Sequence, residues 1–103
     1  MRALELAQLL LADPEPSRAL DVAERVLDEH GCRIDRSTFA GALIAHRGRG
    51  GAVFSGHVDV VPPGEAWTRP PFGNAPEQDR LVGRGASDMR GPVACMLACA
   101  QTT

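Results

Sequence analysis

The residues with chemical reach fall in two short stretches: Gly56-His57-Val58-Asp59, and Gly83-Arg84-Gly85-Ala86-Ser87-Asp88-Met89-Arg90-Gly91. His57 and Asp59 are two positions apart, so in extended backbone their side chains leave on the same face. A carboxylate beside an imidazole accepts its N–H, which fixes the tautomer and makes the other nitrogen a better metal ligand. Taken alone, His-x-Asp is a weak signal, and a surface histidine beside an acid is the commoner case. Asp88 lies between a glycine-rich turn and the start of a helix. Glycines let backbone approach a ligand closely, and the helix dipole favours a carboxylate there. A Gly-x-Gly ahead of a helix also suggests a phosphate cradle, but the third glycine and the Lys-Ser/Thr pair of phosphate loops are missing. An oxygen ligand for a metal is the better functional reading. His57 at the end of one strand and Asp88 at the end of a neighbour would meet across a shared site.

Other reactive side chains read as structural. Ser55 adjoins Gly56-His57, but there is no Gly-x-Ser-x-Gly elbow, and a Ser/His/Asp triad is the poorer reading. Cys32, Cys95 and Cys99 form no Cys-x-x-Cys pair and read as small core residues of a reduced protein. Cys95 and Cys99 are one helical turn apart, yet no third ligand or basic neighbour adjoins them. His30 and His46 read as ordinary surface residues, and Arg47-Gly-Arg49 as a solvated turn.

The elements that must position these residues follow from pattern. Residues 3–11 are rich in strong helix formers, and Asp13-Pro-Glu-Pro16 stops that helix. Ser17 is the expected N-cap of a second helix. Its apolar positions, Leu20, Val22, Ala23, Val26 and Leu27, recur at helical spacing up to a left-handed Gly31. Strands are expected at 32–37 and 42–45. Ala52-Val-Phe-Ser55 is uniformly apolar and reads as a strand covered on both faces of a parallel sheet. A long Pro- and Gly-rich connection holding Trp67 and Phe72 covers 62–79, followed by a weak strand at 80–83. A final helix begins near Gly91-Pro92. After Arg90 the chain carries no charge, so this helix is apolar on every face and must be buried by something.

The chain has 103 residues, 11 Lys/Arg against 13 Asp/Glu, and a net charge of −2. That suits one small domain and argues against a broad nucleic-acid-binding face. No apolar run approaches the roughly 20 residues of a membrane span, and Glu5 interrupts the only stretch resembling a signal peptide. The expected compartment is the cytoplasm.

Together, Phe54-Ser-Gly-His-Val-Asp-Val-Val-Pro-Pro-Gly-Glu-Ala-Trp-Thr-Arg-Pro-Pro-Phe72 and Leu81-Val-Gly-Arg-Gly-Ala-Ser-Asp-Met-Arg-Gly91 resemble the zinc-dependent aminoacylase and exopeptidase family. That family includes acetylornithine deacetylase, succinyl-diaminopimelate desuccinylase and aminoacylase. The resemblance implies an α/β fold, with residues 1–103 forming the N-terminal portion of a three-layer α/β/α catalytic domain. It implies that His57 binds one zinc and that Asp88 bridges two, with Co2+ or Mn2+ as alternative metals. Asp59 would hold the metal-binding histidine and so belong to the catalytic machinery. It also implies a cis peptide after Asp88. The chemistry would be hydrolysis of the amide of an N-acyl amino acid or small peptide, by a homodimer, with the metal activating water and polarising the acyl carbonyl.

Some positions depart from the family pattern. Arg90 stands where Lys is usual, Val82 where Tyr is common, and Asp79-Arg80 where an Asp-Gly turn is usual. The family's adjacent Glu-Glu pair does not occur in this chain, nor do its later carboxylate and histidine ligands. The chain is therefore expected to be part of a longer enzyme and inactive by itself. The alternative is a non-catalytic binding or regulatory product.

Overall fold

A computed structural model describes residues 1–102. It contains helix α1 (Ala3–Leu10), helix α2 (Pro16–Glu29), strands β1 (Arg33–Asp35) and β2 (Ile44–His46), and helix α3 (Arg90–Ala100). The fold is α/β, as expected, with α1 packed chiefly on α3 and α2 flanking both. Leu6 and Leu10 of α1, Ala19, Ala23 and Val26 of α2, and Val93, Ala94 and Leu97 of α3 form the core.

Local chemistry sets the helix ends. The Pro-rich stretch ends α1. α2 starts one residue before the expected Ser17 cap, because Pro16 occupies the first helical position, where its fixed φ suits the helix and its missing N–H costs nothing. Gly31 ends α2 in the left-handed region at φ 84°. The nearby His30 is half-buried, and its Nδ1 lies 2.8 Å from the Val26 carbonyl, so it belongs to the cap rather than the open surface.

β1 and β2 form an antiparallel pair, with Ile34 opposite Ala45. β2 sits two residues later than expected. The turn after β1 is organised by Asp35, whose carboxylate accepts from the backbone N–H groups of Ser37 and Thr38 at 2.8 and 3.1 Å and from both their hydroxyls. These bonds hold the Asp35 carboxyl at a pKa of about 2. Arg47, expected in a solvated turn, donates to the carbonyls of His30 and Ala100 and so ties the C-terminal ends of α2 and α3 together.

Two strand expectations fail. Residues 52–55 pair with nothing in a sheet among the described residues, and Val53 and Phe54 are 90% and 70% exposed. Residues 80–83 contribute only a single bridge between Glu77 and Arg80. A strand's hydrogen bonds come from a neighbouring strand, so an apolar run without one stays unpaired. The described residues hold three helices and this one two-stranded sheet.

The cysteine expectation fails too: Cys95 and Cys99 are exposed, and Cys32 is intermediate. α3 is apolar all round, but α1 and α2 cover only the face carrying Val93, Ala94 and Leu97.

The long connection is ordered by bonds from side chain to backbone. Trp67 Nε1 donates to the Pro63 carbonyl at 2.8 Å, and the Arg84 guanidinium lies 5.2 Å from the centre of the indole ring. Asn74 Nδ2 donates to the Pro70 and Val82 carbonyls. These contacts hold 62–79 against residues 82–84, which lead to Asp88.

Candidate metal centre

His57 and Asp88 arrive from different parts of the chain. His57 sits in the irregular segment after Gly56, and Asp88 sits just before α3. A glycine turn makes that approach possible. Gly85 adopts φ 88°, and a Cβ there would lie 2.4 Å from a Val60 methyl. The Arg90 N–H donates to the Gly85 carbonyl at 2.8 Å, which closes the loop onto the first turn of α3. The Asp88–Met89 peptide is cis, as the resemblance implies.

The two side chains meet: His57 Nε2 lies 3.0 Å from Asp88 Oδ1. On the other side of the ring, Nδ1 lies 3.2 Å from the Asp59 carbonyl and 3.3 Å from its carboxylate. Both Asp59 oxygens are acceptors, so Nδ1 carries the proton. A neutral ring then presents its Nε2 lone pair to a carboxylate oxygen. Two acceptors at that distance require a cation, either a proton on Nε2 or a metal ion. The Asp59 carbonyl, foremost, and the Asp88 carboxylate accordingly raise the His57 pKa above its ordinary value, against a smaller opposing effect of partial burial. An imidazole nitrogen beside a carboxylate oxygen, with the second nitrogen tethered, is a donor set suited to a divalent metal such as zinc.

The pair opens onto a cleft of about 290 Å³, whose walls include Arg84, Gly85 and Ser87. His57 and Asp88 keep 46% and 88% of their side-chain surface exposed, so a ligand reaches both. Among the described residues, no group of three or more His, Cys, Asp or Glu side chains converges to hold a metal. His57 nevertheless touches both other residues singled out from sequence, Asp88 at Nε2 and Asp59 at Nδ1. His57 is engaged by Asp59 and Asp88, not by Ser55.

Sequence reasoning missed Arg90. It is fully buried and donates to four backbone carbonyls, including that of Val58 between His57 and Asp59. The available signal was a lone charge at the head of an otherwise apolar helix.

Fold and site together define a class. The chain belongs to peptidase family M20/M25/M40, hydrolases that generally use divalent metal ions, and the family pattern matches residues 53–103, the half that carries His57, Asp59 and Asp88. Among individual proteins, the chain is 44% identical to succinyl-diaminopimelate desuccinylase from Rhodospirillum rubrum over 92% of its length. It is 46% identical to the enzyme of that name from Methylobacterium radiotolerans over 93%, and 43% identical to the one from Maricaulis maris over 95%. In each case it spans 28% of the relative. Among the described residues, no helix is long and apolar enough to cross a membrane.

Proposed function

We propose that this chain supplies the first ligand pair of a two-zinc centre in an amide hydrolase that removes an acyl group from an N-acyl amino acid. The observation that carries this is the 3.0 Å approach of His57 Nε2 to Asp88 Oδ1, with Nδ1 tethered by Asp59. The likeness to desuccinylases favours a succinyl group on a diamino acid as the substrate type, ahead of an acetyl group. The reading carries with it a three-layer catalytic domain, a homodimer and a cytoplasmic setting.

In this reading His57 holds the metal through Nε2 and Asp88 through its carboxylate. A divalent ion bound there supplies Lewis-acid polarisation of the substrate's amide carbonyl. Asp59 acts through His57: it keeps the proton on Nδ1, holds the ring plane and leaves Nε2 free to bind. The cleft beside Ser87 and Gly85 adjoins the pair and gives a substrate access to it. A general base and further ligands would come from the part of the relatives that this chain does not span, so the chain alone binds zinc weakly and hydrolyses nothing.

Zinc titration of the chain by calorimetry tests this. Weak binding that disappears in both His57→Ala and Asp88→Asn is expected. Binding unchanged in His57→Ala refutes the ligand assignment, and turnover of N-succinyl or N-acetyl amino acids by the chain alone refutes the shared-site reading.

A further inference from the structure

Among the described residues, Arg90 is the only buried charged or polar one, at 0% exposure. A cation taken out of water must be hydrogen-bonded. Here the partners are carbonyl oxygens. Nη1 donates to Leu10 at 2.7 Å and Asp13 at 2.6 Å, Nη2 donates to Pro14 at 2.9 Å, and Nε donates to Val58 at 2.7 Å. Three of these acceptors belong to the end of α1 and its sequel. Leu10 is the last residue of that helix, where carbonyls lack helical partners and the dipole favours a cation. The Asp13 and Pro14 carbonyls lie in the stretch that links α1 to α2.

The fourth acceptor concerns the site. Val58 sits between His57 and Asp59, so its carbonyl orientation sets the peptide that joins the metal-binding ring to its tether. Arg90 itself is two residues beyond Asp88, and its backbone N–H is fixed to Gly85. One side chain therefore connects the backbone carrying Asp88 to the backbone carrying His57 and braces both against the end of α1. The planar fork uses four of its five N–H donors, each on a different carbonyl. A lysine offers three donors from one atom and cannot span that set.

We infer that Arg90 is a positioning residue for the His57–Asp88 pair: its carbonyl clamp sets the separation of the two ligands. The inference rests on the metal reading above for its consequence, but its structural content stands without metal.

The test uses Arg90→Met, Arg90→Lys and, as a control, Leu6→Ala, which removes core packing on α1 without touching the clamp. All are compared well below their melting temperatures. Two readouts are taken: zinc affinity by calorimetry, and the ring-nitrogen NMR shifts of His57 without metal. Arg90→Met is expected to weaken zinc about ten- to a hundredfold, the range found when groups that orient metal ligands are removed, and to move the His57 shifts toward those of a free imidazole. Arg90→Lys falls between Arg90→Met and the parent chain, and it carries the test alone if Arg90→Met does not fold. Leu6→Ala leaves both readouts at parent values despite its lost stability. Unchanged His57 shifts in the Arg90 variants overturn the inference, as do equal changes in Leu6→Ala. Absence of zinc binding by the parent chain overturns the metal reading instead, and leaves the NMR result to decide the role of Arg90.

Discussion

Gly91 offers a case in which two effects of known size oppose each other. It lies in the first turn of α3, where replacing glycine by alanine ordinarily stabilises a helix by about 1 kcal/mol. Here a Cβ would lie 2.0 Å from the Ala86 carbonyl oxygen and 3.2 Å from its carbon, more than an ångström inside ordinary contact. The obstacle is backbone, so no flexible side-chain end can swing away. Forcing an extra methyl into a filled position costs about 1–3 kcal/mol, and a fixed carbonyl places this site at the upper end. The clash exceeds the propensity gain, and Gly91→Ala is expected to destabilise by about 2 kcal/mol. For a chain of this size that lowers the melting temperature by roughly 8–16 °C. Circular dichroism on heating, with urea unfolding as a second measure, reads this directly. A Gly91→Ala variant that melts at or above the parent temperature would show that the 83–91 loop is free to move, and the close packing described around Asp88 would be wrong.

Three further outcomes follow from the same contacts. Asp59→Ala removes the carboxylate from His57 Nδ1 but keeps the backbone carbonyl at 3.2 Å, so zinc affinity should fall about tenfold, the low end for loss of a ligand-orienting group; calorimetry showing no change would remove Asp59 from the site. Asp35, with its pKa near 2, stabilises the fold above the ordinary carboxylate range and loses that contribution as pH falls toward 2, so Asp35→Asn should flatten the stability profile between about pH 4 and 2; an unaltered acid unfolding curve would contradict this. Gln78 and Asp79 both adopt positive φ, 50° and 60°, between Glu77 and Arg80, whose backbones exchange 2.8 Å hydrogen bonds. Replacing them with Asn-Gly, the pair suited to that turn, should raise stability by about 1 kcal/mol, read as a higher melting temperature.

The three helices were legible because their determinants are local. Apolar spacing, Pro16 at a first turn and Gly31 past a last one act within a few residues of the segment they shape. The candidate site was legible in part: His57, Asp59 and Asp88 stood out by type and by their glycine-rich surroundings, and the ring's approach to Asp88 joins residues 31 apart in sequence. The failed readings share a physical cause. Whether Val53-Phe54 becomes a covered strand depends on a partner strand that its own residues cannot specify. Whether Cys95 and Cys99 are covered depends on which face of α3 meets α1.

Sequence by itself singled out the candidate site residues His57, Asp59 and Asp88 and marked where the helices lie, because those choices rest on side-chain type and near neighbours. Only the tertiary structure decided which helix faces are buried and that Asp59 tethers His57 while Asp88 faces it. It alone assigned Arg90 to four carbonyls lying 32 to 80 residues away, at Val58, Pro14, Asp13 and Leu10. Backbone carbonyls look the same in every residue, so no pattern of side chains marks the ones a buried guanidinium will find. They become its partners only when the fold carries them to one point away from water.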